Sequence, residues 1–352
     1  MAGPCRYRSA MFDSLRSFSD VLSRVAGPHN GWRTTALARQ KVLTKPPGSL
    51  GRIEDVAIFL AGWGHEEAPR AERMRLVVFA GNHGVTAQGV SPYPSDVTGQ
   101  MVANFKAGGA ASNAFTSAVG LGFDVIEVAD GQPTGDITRE DAMSAAELLD
   151  AINVGAGAIR ADDDVVVLGE MGIGNTTIAA TLCARTFGGD GALWAGPGTG
   201  LNDAGVAHKA GVIDRALAFH RAAHGSEAMS AVETLRRVGG RETAAIAGAV
   251  VAARQMSVPI VLDGYVVGAS VAPLFNDNAS IVDHCLAGHV SAEPAHANLL
   301  KAMSLEPLLD LSMRLGEGTG GVLACALLKA ACAAHNGMAT FDEAQVAGRV
   351  DG

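Results

Sequence analysis

The chain has 352 residues, 48% of them hydrophobic and 5% aromatic, with 44 glycines and a formal net charge of −9. That length and apolar content can bury a large core, in one domain or one plus a satellite, and abundant glycine suits close helix–sheet contact in an α/β protein better than an all-β sandwich. The negative balance argues against a nucleic-acid partner.

In chain order, Phe12, Leu15, Phe18, Val21, Leu22 and Val25 recur at three- and four-residue spacings and predict an amphipathic helix over 12–25. A second helix fits 33–43, ended by Lys45-Pro-Pro-Gly48. Ser49 is placed to cap a third, running through Ile53, Val56 and Leu60. From Arg75 short β-branched or apolar runs predict strands at 75–80, 123–129, 164–169, 192–196, 258–264 and 280–288. Helices are expected between them at 139–154 (with Thr138 and Asp141 resembling a capping box), 176–187, 202–219 and 241–256. Two more are expected at 296–312 and 319–335, the last apolar nearly all round. Continuous apolar strands separated by helices signal a doubly wound, mainly parallel sheet whose carboxyl-end loops build the binding crevice. The last helix is expected to pack with the N-terminal ones, giving a small helical domain (1–65 and 320–352) beside an α/β domain (66–319).

No apolar run reaches the roughly 18 residues of a membrane span, since Arg254, Gln255 and Lys329 interrupt the longest. The N-terminus has no apolar core of a signal peptide. Cys5, Cys183, Cys285, Cys325 and Cys332 form no CxxC pair, which fits reduced thiols in a cytoplasm. His284 and His289 flank Cys285, but their apolar neighbours favour a buried strand end over a metal site. Neither a metal nor a cofactor is expected.

Four glycine-rich segments carry the chemistry. In Arg314-Leu-Gly-Glu-Gly-Thr-Gly-Gly321, Glu317 stands among glycines that leave the backbone bare for a ligand; the plainer alternative is a loop acid capping the helix near Thr319. Gly316, Gly318 and Gly321 match the dinucleotide fingerprint, with Asp342 about twenty residues on, but no convincing strand follows to complete a βαβ unit. In GEMGIGNTT (169–177), Gly172, Gly174, Asn175 and Thr176 lead into a helix whose free N–H groups suit phosphate, unless this is an ordinary capped turn. GPGTGLNDAG (196–205), with Gly198 and Gly200, is a second cradle, and Lys209 beyond it either reaches back to a phosphate or is a solvated helix face. In 79–94, Asn82, His83 and Gln88 offer polar side chains at a strand end, and Ser91-Pro-Tyr-Pro94 makes a stiff segment able to line an aromatic pocket. Arg241-Glu242 reads as a helix start.

Together, KPPGSLGRIEDVA (45–57), GNHGV…GVSPYPSDVT…MV (81–102), GEMGIGNTT, GPGTGL, GGRE (239–242), LDG (262–264) and MRLGEGTGG (313–321) resemble, in order, the nicotinate-nucleotide:dimethylbenzimidazole phosphoribosyltransferases of cobalamin nucleotide-loop assembly. The resemblance implies a Rossmann-like α/β fold with a small helical domain from both chain ends, and a homodimer. It also implies phosphoribosyl transfer from nicotinate mononucleotide to dimethylbenzimidazole, giving α-ribazole 5′-phosphate and nicotinate with inversion at C1′. Glu317 then corresponds to the general base and Glu170 to a second acid of the site. Leu315, Gly316 and Gly318 flank the base. The competing readings are an oxidoreductase binding a nicotinamide dinucleotide and a non-catalytic nucleotide-binding module in which Glu317 is idle.

Overall fold

The computed structural model describes residues 12–225 and 229–347; Cys5 and the outer ends of the expected helical domain lie outside them. Among the described residues, three helices precede the first strand: α1 (Leu15–Leu22), α2 (Asn30–Val42) and α3 (Arg52–Gly64). Ser14 and Ser17 exchange hydrogen bonds at the start of α1, a capping box that sets its first turn later than the apolar spacing indicates. Ser49 is not the cap of α3, because left-handed Gly48 and Gly51 make an intervening turn and the helix begins at Arg52.

The α/β part follows as β1 (Met74–Ala80), α4 (Val97–Ala107), α5 (Ala111–Val119), β2 (Gly122–Glu127), α6 (Ala145–Gly157) and β3 (Val165–Met171). Next come α7 (Asn175–Phe187), α8 (Gly191–Trp194), α9 (Asp203–His224), α10 (Ala231–Val238), α11 (Arg241–Met256), β4 (Ile260–Leu262) and α12 (Tyr265–Asp277). The chain closes with β5 (Cys285–Val290), α13 (Pro294–Ala302), β6 (Pro307–Asp310) and α14 (Thr319–Gly337).

The six strands form one parallel sheet in the order β2-β1-β3-β4-β5-β6. Strand alternation divides the core between its faces. Val77, Phe79, Val166, Leu168, Ile260 and Leu262 join α6, α7 and α9 to α13 on one side. Leu76, Val78, Val165, Val167 and Val261 join α3 and α14 on the other. The apolar surface of α14 is taken up within the chain, by α3, α5 and β5. The order reverses between β1 and β3, whose carboxyl ends therefore diverge to opposite layers and open a crevice.

Four local expectations are corrected. The apolar run 192–196 is not a strand but the short α8, because Asp190 accepts from Leu193 N–H and Trp194 Nε1 donates to the Gly188 carbonyl, satisfying the segment locally. The helix expected over 296–312 stops at Ala302; Ser304 is left-handed (φ 55°), and Pro307 opens β6 on the free edge of β5. The helix expected from 139 begins at Ala145, capped reciprocally by Ser144 and Glu147, while Thr138 bonds Asp136 instead. Residues 279–284 form a 3₁₀ turn, so β5 starts only at Cys285.

Candidate active site

The end of β3 delivers Glu170 into this crevice, paired in register with Phe79 of β1. The carboxyl is 8% exposed, and Asn175 Nδ2 makes a short hydrogen bond to its Oε2. Burial first, then the neighbouring Asp263, Glu242 and Glu317 carboxylates, raises its pKa to about 8; only Asn175 opposes the shift. Its other oxygen faces Gly316, where a Cβ would sit 2.5 Å away.

Glu317 arrives on the loop between β6 and α14 and is 7% exposed. Gly316, Glu317 and Gly318 all have left-handed φ (81°, 61° and 79°), a run that glycine tolerates and that costs a glutamate about 1–2 kcal/mol. Ser112 of α5 holds the turn, donating to the Glu317 carbonyl at 2.9 Å and lying 3.1 Å from Oε2. The loop lies directly on β3: a Cβ at Gly169 would come within 2.7 Å of the Gly318 nitrogen. Burial raises the Glu317 pKa, Asp263 adds to the rise, and Ser112 offsets part of it.

Asp263, just past β4, locks this geometry. It is 1% exposed and accepts from Gly318 N–H at 3.1 Å and Gly321 N–H at 2.8 Å, so the positive N-terminus of α14 is satisfied by the chain's own carboxylate. A dinucleotide pyrophosphate would need those same N–H groups. Among the described residues no strand follows α14, and Asp342 lies in a turn. The fingerprint match is therefore accidental, and nothing supports the dinucleotide oxidoreductase.

A basic nook adjoins the acids through consecutive residues of α7. Asn175 bonds Glu170, while Thr176 Oγ1 accepts from Lys209 Nζ at 3.0 Å. Lys209 is buried, not a solvated face; it also donates to the Gly196 carbonyl at 3.0 Å, and burial pushes its pKa down to about 8 against the pull of Glu293. Gly198 borders the nook, with its Cβ position 3.1 Å from Lys209 Nζ, and Arg314 Nη1 donates to its carbonyl at 3.0 Å. Gly200 faces open space. The N-terminus of α7 carries no side-chain cap, whereas Asn202 caps α9 by accepting from Gly205 N–H.

The segment after β1 lies alongside. His83 is buried 3.1 Å from Glu242, the second residue of α11, and the Cβ position of Gly172 is 3.0 Å from His83 Nε2. Gly174 (φ 90°) meets the Thr86 methyl at 2.9 Å, so its glycine is required by backbone and contact as well as by any ligand. Asn82 and Gln88 turn to other partners: Asn82 Nδ2 donates to the Gly131 carbonyl at 2.9 Å and Gln88 Nε2 to Asp136 at 2.7 Å. Leu315 is 56% exposed beside Glu317. His284, by contrast, is buried facing the Val250 carbonyl, and His289 sits on β5 near Asp263.

Sequence reasoning on single motifs missed Asp263, Glu242, Ser112, Glu293 and Arg314 as members of the site. Asp263 and Glu242 had a signal, an acid directly after an apolar strand and an acid one residue beyond a Gly-Gly pair. Ser112 had none, since a serine within an ordinary helix carries no mark of a partner 205 residues away.

A family model described as phosphoribosyltransferase matches residues 25–346. The chain is 51% identical to the nicotinate-nucleotide–dimethylbenzimidazole phosphoribosyltransferase of Novosphingobium aromaticivorans, over 96% of this chain and 98% of that one. It is 52% identical to the enzyme of the same name from Methylocella silvestris, over 98% and 99%. The crystal structure of CobT from Thermus thermophilus superposes with a TM-score of 0.83 at 39% identity, covering 90% of this chain and 99% of that one. The chain therefore belongs to the nicotinate-nucleotide–dimethylbenzimidazole phosphoribosyltransferases, a family of pentosyl-transferring enzymes.

Proposed function

We propose that this protein transfers the phosphoribosyl group of nicotinate mononucleotide to dimethylbenzimidazole, with inversion at C1′, releasing nicotinate and α-ribazole 5′-phosphate. One observation carries this reading. Asn175 and Thr176, neighbours in sequence, join a cluster of buried carboxyls to a buried lysine. No lysine or arginine offsets the raised pKa of Glu170 or Glu317, so these two acids lack a basic partner. A ligand with a cationic ring at one end and a phosphate at the other satisfies both halves, and a pyridinium ribonucleotide is such a molecule.

In this reading the phosphate lies at the N-terminus of α7 between Thr176, the Gly198 loop and Lys209. The pyridinium and ribose lie toward Glu170. A cation there lowers the raised carboxyl pKa and draws off its proton, leaving a carboxylate facing the charge that builds at C1′. The flat base enters past Leu315 and attacks from the side opposite nicotinate, which inverts the β-linkage. Glu317 takes the benzimidazole N–H proton, and its raised pKa brings it closer to the working pH, where a base is most effective. Nicotinate leaves as its ring nitrogen is neutralised, so no acid is needed to protonate it. The buried thiols Cys183, Cys285, Cys325 and Cys332 suit a reducing compartment.

The test is nicotinate release from its mononucleotide with and without dimethylbenzimidazole. Wild type is expected to release nicotinate only with the base present, and Glu317→Gln to lower kcat by at least about tenfold, the lower side of general-base effects. Release without any base would make the protein a hydrolase, and near-normal turnover of the variant at saturating substrates would remove Glu317 as the base.

A further inference from the structure

Helix α9 carries His220 and His224 one turn apart, which places both rings on one face. The rings are stacked, 5.9 Å between centroids and 22° between planes. Asp141, in the segment leading to α6, faces them both: its Oδ1 is 3.5 Å from His220 Nδ1 and 3.2 Å from His224 Nε2. One ligand atom from each of the three residues lies within 4.8 Å of the other two.

Two further observations point to a ligand. His220 is 1% exposed, and although the Ile137 backbone lies close, neither ring nitrogen has a well-formed hydrogen bond. A buried polar group without a well-formed hydrogen bond is destabilising, and a ligand would relieve it. Secondly, Asp141 is held from behind: Oδ2 accepts from Arg236 Nη1 at 2.7 Å, which leaves Oδ1 directed at the rings, as an oriented carboxylate ligand is. Glu233 pairs with both Arg236 and Arg237.

We propose that Asp141, His220 and His224 form a binding site for a divalent transition-metal ion of the zinc class, with water as the fourth ligand. Two imidazoles and one carboxylate suit Zn²⁺, Co²⁺ or Ni²⁺ better than Mg²⁺ or Ca²⁺, which take oxygen ligands. Bonds of about 2 Å need ligand atoms within roughly 4 Å of one another, and His224, at the exposed end of α9, can swing to close the difference. The ion reaches it from solvent. The site is separate from the carboxyl cluster, but the segment that ends at Asp141 begins at Asp136, the partner of Gln88. A bound metal would fasten that segment to α9 and α10.

The experiment is calorimetric titration of chelator-treated, full-length protein with Zn²⁺ alone, and with Mg²⁺ alone, alongside thermal unfolding. Wild type is expected to bind one equivalent of Zn²⁺ with micromolar or tighter affinity, to gain Tm, and to ignore Mg²⁺. His224→Gln, at the accessible ligand, should fold normally and lose at least about tenfold in affinity, as should Asp141→Asn. Absence of stoichiometric binding, undiminished affinity in His224→Gln, or equal response to Mg²⁺ would each overturn the proposal.

Discussion

Glu317 pays for its position twice, in a left-handed backbone and in a carboxyl moved out of water. Glu170 is the extreme case of such burial, with no lysine or arginine to offset the rise. The folded-state pKa of about 8 stands above the 4.5 of an ordinary glutamate, so the folded protein binds the proton longer than the unfolded chain does. Stability is then lost as pH rises from about 4.5, below which both states are protonated, through about 8, above which both are ionised. Glu170→Gln has no such proton to lose. Its Tm advantage over wild type is expected to grow between pH 5 and pH 8, and parallel Tm profiles for the two proteins would contradict the raised pKa. Glu317 itself was conspicuous in the sequence because glycines surround it. Glu170 was less so, and its environment is assembled from Asp263, Glu242 and Glu317, which are distant in the chain and meet only through the sheet.

At the scale of elements, the layer on one face of the sheet depends on the close approach of α6 and α11. A Cβ on Gly248 would collide with the Ile152 carbonyl oxygen, and one on Gly155 with that of Ala245. Alanine in a helix is better than glycine by up to about 1 kcal/mol, but a collision with backbone forces the helices apart and costs about 1–3 kcal/mol or more. Gly248→Ala is therefore expected to be destabilised by about 1–2 kcal/mol in urea unfolding; unchanged or increased stability would show that the helices can separate freely. Helical spacings and continuous apolar runs made most elements legible, whereas the caps expected at Ser49 and at Thr138 with Asp141 did not form. The exceptions share a cause. At 192–196 local hydrogen bonds won over an apolar run too short to declare its period, and at 307–310 a short edge strand formed because β5 offered unpaired backbone.

At the scale of the molecule, the carboxyl ends of β1 and β3 lie where strand order reverses, and the loops after β1, β3, β4 and β6 converge there. This convergence fits the expectation of a crevice at the strand ends, though the third glycine segment arrives from α8 rather than from a strand. The exposed Leu311 and Leu315 lie on the loop that carries the proposed base. We expect the protein to be a homodimer, as its resemblance to the family implies; sedimentation at micromolar concentration should return twice the chain mass, and a single chain mass would exclude it.

The sequence by itself determined the parallel α/β class, the two-faced core and the acid-bearing glycine loops. These follow from residue periods and from glycine's freedom, which are local properties. Tertiary structure decided which acids share a site, why Lys209 is buried, and that the α14 N-terminus is occupied by Asp263. It alone brought Asp141 to His220 and His224. Burial, charge coupling and the use of free N–H groups depend on contacts across the chain, and a linear pattern does not encode those distances.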